Sequence, residues 1–224
     1  MSILDKLKQQ AEAMRANEAQ EAKRQAAQQV YYEQSLKPVM LQVLTYLDEL
    51  VKNINYVQPE RIITYPLTPD RSTGVELNQT AYKLVIDSSA NPRQLDVRVS
   101  AELRDKAAIE SYTRYLARYN FKYHRRDQLN RNHRLQSALF SLEGPLQLAM
   151  RVQASPETEA IEVLLKNFTR PGVQRYNYRC DQINDELLDR MGQLILHEVE
   201  ALTPPVEIPA EVREQWRRQL VDKQ

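Results

Sequence analysis

The hydrophobic pattern of this chain changes period twice, from helical to alternating and back to helical. Residues 2–36 contain no Gly or Pro and are dominated by Ala, Gln, Glu and Lys, which predicts one long helix. Its apolar stripe begins with Leu4, Leu7, Ala11 and Met14 at heptad-like spacing, then thins to Ala19, Ala22, Ala26 and Val30. So little apolar surface cannot be buried in a core. The segment reads as an arm, either solvated or used for self-association or partner docking through Leu4, Leu7, Ala11 and Met14.

Pro38 suits the first turn of a new helix or a kink in the same one. Met40, Val43, Leu44, Leu47, Leu50, Val51 and Ile54 then recur at three and four, a core-facing stripe closed by Gln58-Pro59. In the centre the period becomes two. Tyr82, Leu84 and Ile86 alternate with Lys83, Val85 and Asp87. Leu95, Val97, Val99, Ala101 and Leu103 do so more cleanly, against Asp96, Arg98, Ser100 and Glu102. The signal returns at Ala138–Leu142, Leu146–Val152 and Ile161–Leu165, with turns at Glu143-Gly144-Pro145 and Ser155-Pro156-Glu157. Shorter strands are expected at Ile62–Leu67 and Val173–Tyr178. Helices are expected at Asp105–Tyr119 and at Asp181–Leu202, the latter with Ile183, Leu187, Met191, Leu194, Ile195 and Leu202 inward. In the tail, Pro209 opens a short helix whose Val212, Trp216 and Leu220 stand four apart.

These elements predict an α+β protein: an antiparallel, meander-like sheet of about six to eight strands packed against helices, with a long N-terminal helical arm. The expected divisions are an arm at 1–37, an α+β domain at 38–203 and a tail at 204–224. With 224 residues the chain can bury one sizeable core. Four glycines leave no place for a GxGxxG, Walker A or GxSxG motif. One cysteine forbids an intrachain disulfide and a cysteine metal cage. The N-terminal residues hold no apolar run, so a cytoplasmic chain without a transmembrane segment is expected.

Charge adds one feature. Ser111–Arg134 holds seven bases (Arg114, Arg118, Lys122, Arg125, Arg126, Arg131 and Arg134) against one acid, in a chain of net charge +1. Tyr112, Tyr115 and Tyr119 fall on the inner face of the predicted helix. The patch that survives is Arg118, Lys122, Tyr123, Arg125, Arg126, Arg131 and Arg134, a contact surface for an acidic protein partner. Nucleic acid is the alternative, although the chain lacks an RNP1 pattern or zinc-finger spacing. Arg114-x-x-x-Arg118 followed by Leu139-Phe140-Ser141-Leu142-Glu143-Gly144 resembles in part the RxxxR and [DN]xSxxG motifs of PilZ domains, which bind cyclic di-GMP. The Asp/Asn position of the second motif holds Leu139, and both arginines fall in a predicted helix, so nothing of that family's site is carried over.

His124 and His133 stand nine apart, His197 lies far away, and no HExxH or CxxC occurs, so no metal site or cofactor is expected. Cys180 at a helix start reads as structural. No catalytic residue is assigned. The expected function is a non-enzymatic interaction or scaffold protein. The alternative is a ligand-binding module or small enzyme with an apolar pocket between the sheet and the C-terminal helix.

Overall fold

The computed structural model describes residues 3–67, 74–104, 108–110, 122–129, 131–142 and 144–204. Helix-favouring residues carry α1 from Ile3 to Tyr31. At Tyr32–Leu36 the helix widens into a π-turn and continues unbroken as α2, Lys37–Val57. Tyr32, Leu36 and Met40 lie four residues apart and are all fully buried. Steps of four overshoot the 3.6-residue turn of an α-helix, and the wider turn keeps the three on one line. Pro38, which has no N–H to donate, follows that turn in the first residues of α2. Met40, Val43, Leu47, Val51 and Ile54 then face the core, and Gln58 ends the helix with a left-handed φ of 49°.

The chain is α+β, with an antiparallel sheet. Nine strands occur among the described residues: β1 Ile62–Pro66, β2 Gly74–Ile86, β3 Gln94–Leu103, β4 Ala108–Glu110, β5 Tyr123–Leu129, β6 Leu135–Leu142, β7 Leu146–Ser155, β8 Ala160–Lys166 and β9 Val173–Tyr178. Six form one sheet in the order β1-β2-β3-β7-β8-β9, and every neighbour is antiparallel. β4, β6 and β5 form a second sheet of three. Because β3 pairs directly with β7, the segment between them is an excursion from an otherwise sequential meander. The basic residues belong to that excursion.

One face of the six-stranded sheet meets the helices. Leu95, Val97 and Val99 of β3, Leu148, Met150 and Val152 of β7, and Ile161 and Val163 of β8 are fully buried. They share a single core cluster with α2 and with α3, Asp185–Ile195. A bulge at Gln79/Ala81 shifts the phase of β2, so that Leu77, Gln79 and Tyr82 all face inward. Helices α2 and α3 approach closely at Gly192, where a Cβ would collide with the Tyr46 hydroxyl.

Two expectations are corrected. Ala108–Glu110 is a strand opposite Ser141–Leu139 and not the opening of a helix over Asp105–Tyr119, because pairing with β6 overrides local propensity. The remainder of that stretch lies outside the described residues. The C-terminal helix is also shorter than Asp181–Leu202. It is preceded by a 3₁₀ turn at Cys180–Gln182, starts after the Asn184 cap, whose side chain accepts from Leu187 N, and stops at Ile195. The inward residues Ile183, Leu187, Met191, Leu194, Ile195 and Leu202 are all buried as expected. The tail helix with Trp216 lies outside the described residues.

Candidate functional site

Every residue from Gln9 to Ala27 is exposed, and Met14 retains 63% of its surface. At 1.5 Å per residue, α1 is about 40 Å long. Its root is held by two neighbouring hairpin loops. The Tyr31 hydroxyl donates to Glu159 O at 3.3 Å, and the Tyr32 hydroxyl donates to Pro92 O at 2.9 Å. The Arg93 guanidinium lies 4.3 Å over the Tyr32 ring and donates to Gln29 Oε1 at 2.6 Å. The loop at Pro92 is tied to the end of β7, where Ala154 N donates to Arg93 O at 2.9 Å. Leu4 and Leu7 lie on the α1 backbone, and Ala11 and Met14 are exposed on it.

The basic segment is brought together only in part. Tyr123, Arg125 and Arg126 occupy β5, where Arg125 and Arg126 stand opposite Phe140 and Leu139. Lys122 and Arg126 are exposed, as are Arg131 and Arg134 in and beside the β5–β6 turn. Arg118 lies outside the described residues.

Two charged or polar clusters were not singled out by sequence reasoning. The first is on the sheet face away from the helices. Asp96 sits opposite Arg151 in the β3–β7 register and is only 6% exposed. Arg151 holds it with two bonds, Nε–Oδ1 at 2.7 Å and Nη2–Oδ2 at 3.2 Å, while Arg98 Nη2 lies 3.5 Å from Oδ2. Burial pushes the Asp96 pKa upward, but the arginine hydrogen bonds and charges outweigh it and hold the carboxyl below its ordinary value. Alternation alone marks Asp96 as a wet position, and only the cross-strand register reveals the pair.

The second cluster closes α3. His197 takes a left-handed φ of 55°, with His197 N donating to Leu194 O and Glu198 N to Gln193 O, which is the Schellman arrangement. Glycine ordinarily fills this position, so a histidine there points to a role for the ring. The ring stacks on Phe168 at 5.2 Å. Gln79 donates to His197 Nδ1 at 2.9 Å and to Ile195 O at 3.2 Å, while Tyr82 donates to Gln79 Oε1 at 3.0 Å. The neutral ring then donates from Nε2 to Phe168 O at 3.0 Å. Burial pushes the His197 pKa down, and a second proton on Nδ1 would face the Gln79 N–H.

Below the ordinary value of 6.5 the unfolded chain binds a proton that folded His197 resists, so stability is lost from there downward until the depressed folded value is passed. Urea midpoints should therefore fall as the pH drops below 6.5, and His197→Gln should flatten that limb. Any loss from Asp96 begins only below 3.8.

Burial pushes the Cys180 thiol up, against a lowering hydrogen bond from Tyr31, so the site favours the neutral thiol. Among the described residues no three His, Cys, Asp or Glu side chains converge to hold a metal ion, and no helix is long and apolar enough to cross a membrane.

The architecture defines an α+β protein with a six-stranded antiparallel sheet, covered by helices on one face and extended by a rooted helix. No family model, no curated protein and no solved structure matches the chain.

Proposed function

We propose that this chain is a non-enzymatic interaction protein, in which α1 pairs with a second copy of the chain and the basic β5–β6 hairpin meets an acidic protein surface. The observation that carries the reading is the exposure of Gln9–Ala27 on a helix whose base is clamped at Tyr31 and Tyr32. A helix poor in apolar residues gains little by standing alone in water. Rooting fixes its direction and removes part of the ordering cost from any later association. Leu4, Leu7, Ala11 and Met14 supply an a/d seam over its first half. The exposed cations Lys122, Arg126, Arg131 and Arg134 give the hairpin its attraction for acidic groups.

Association protects backbone amides that the lone helix leaves to fray. Amide exchange across 9–27 should slow as the protein is raised from about 1 μM to about 100 μM. In the double variant Ala11→Glu, Met14→Glu it should be fast and independent of concentration. Concentration-independent exchange in the parent chain would sink the pairing.

A further inference from the structure

The outer face of the six-stranded sheet carries a groove of about 470 Å³, within the range of small-molecule sites. Its centre is Ala149 on β7, whose cross-strand partners are Arg98 on β3 and Lys166 on β8. With strands about 4.8 Å apart, the backbones of Arg98 and Lys166 stand about 10 Å apart across that small residue. Arg151 lies two residues along β7, on the same face. Three cations thus ring one methyl side chain, and Asp96 is the acid among them.

The three cations are held differently. Arg151 is fixed by Asp96 through its Nε and Nη2 groups, and its Nη1 has no partner among the described residues. A guanidinium already oriented by a carboxylate loses little freedom when it takes up an anion. Arg98 touches the same carboxylate at 3.5 Å. Lys166 is exposed and has no ion pair among the described residues. The next cation along the face, Arg175, is already matched by Glu162 at 3.0 Å, which leaves the excess charge in the groove. On the β8–β9 side the lining turns apolar at Leu164 and Val173, the latter 61% exposed.

We infer that this groove binds a small organic phosphate monoester, with the phosphoryl group above Ala149 among Arg98, Arg151 and Lys166 and an apolar substituent against Leu164 and Val173. Three cations less one carboxylate leave a charge of +2, the complement of a phosphate monoester near neutral pH. The site is distinct from the β5–β6 hairpin, and it takes a different class of ligand from the acidic protein surface proposed for that hairpin.

Phenyl phosphate is the probe, titrated into the full-length protein and followed by backbone amide shifts, with phenol and inorganic phosphate as comparison ligands. Saturating shifts at Ala149, Lys166 and Val173 with Kd of about 1 mM or tighter are expected. Inorganic phosphate should bind several-fold more weakly and phenol should not bind. Lys166→Glu, at an exposed position without an ion pair among the described residues, should weaken binding by about tenfold or more. Ala149→Leu should weaken it as well while keeping every charge, and it serves if the first variant fails to fold. Shifts confined to β5 and its turn, equal affinity for inorganic phosphate, or binding unchanged in either folded variant would each overturn the proposal.

Discussion

Replacing Tyr32 with alanine should cost about 3–5 kcal/mol of folding stability, the loss expected for a large aromatic side chain removed from a close-packed interior. Tyr32 has no exposed surface, its hydroxyl donates to Pro92 O, and its ring lies beneath Arg93. Tyr32→Phe keeps the ring and loses only the hydroxyl bond, so it should cost about 1 kcal/mol. Urea unfolding of the two variants against the parent checks both figures. The contrast matters because Tyr32 lies where the arm meets the body. A large loss for alanine and a small one for phenylalanine mean that the core begins at the π-turn. Equal, negligible losses would mean that the clamp at the root of α1 does not exist in solution.

Gln79→Ala should be the second large effect, at about 2–4 kcal/mol. The amide serves three partners at once: His197 Nδ1, Ile195 O and the Tyr82 hydroxyl. Its removal leaves those groups without their bonds in a site where Gln79 itself is 4% exposed. The variant should also alter the acid limb. Without the Gln79 N–H facing Nδ1, His197 accepts its second proton more readily, so stability should fall less steeply below pH 6.5. Thermal or urea unfolding at pH 7 and pH 5 reads both effects. A variant with unchanged stability and an unchanged acid limb would contradict the network.

Much of this fold is legible in the sequence wherever one side chain per turn or per pleat decides burial. The stripe from Met40 to Ile54 and the alternation from Leu95 to Ala101 reach the core as the pattern requires. The failures share a cause, namely dependence on partners distant in sequence. Ala108–Glu110 becomes a strand because β6 is beside it. The bulge at Gln79/Ala81 breaks the alternation of β2, so its first half is not legible as a strand although Leu77 is buried. The end of α3 has no glycine to announce it, because His197 takes the left-handed position and its ring is held by Gln79 and Phe168.

The candidate surfaces divide in the same way. Exposed cations on the β5–β6 hairpin are visible as composition, since no partner is needed to count them. The Asp96–Arg151 pair and the cations around Ala149 are invisible until three strands are laid in register. Arg98, Arg151 and Lys166 are scattered over the chain, and each alone has the spacing of an ordinary solvent-facing charge. The same division applies to α1. Its exposure follows from local composition, whereas its rooting depends on loops 60 and 128 residues away, at Pro92 and Glu159.

The most direct test of the interaction reading is the solution mass of the full chain beside that of a chain lacking residues 1–27. That boundary removes the exposed helix and leaves Tyr31, Tyr32 and the π-turn in place. Sedimentation equilibrium at about 100 μM is predicted to give a mass well above the 26.2 kDa of one chain for the full protein, and the monomer mass for the shortened one. A strict monomer in both cases would contradict the pairing of α1 with a second copy.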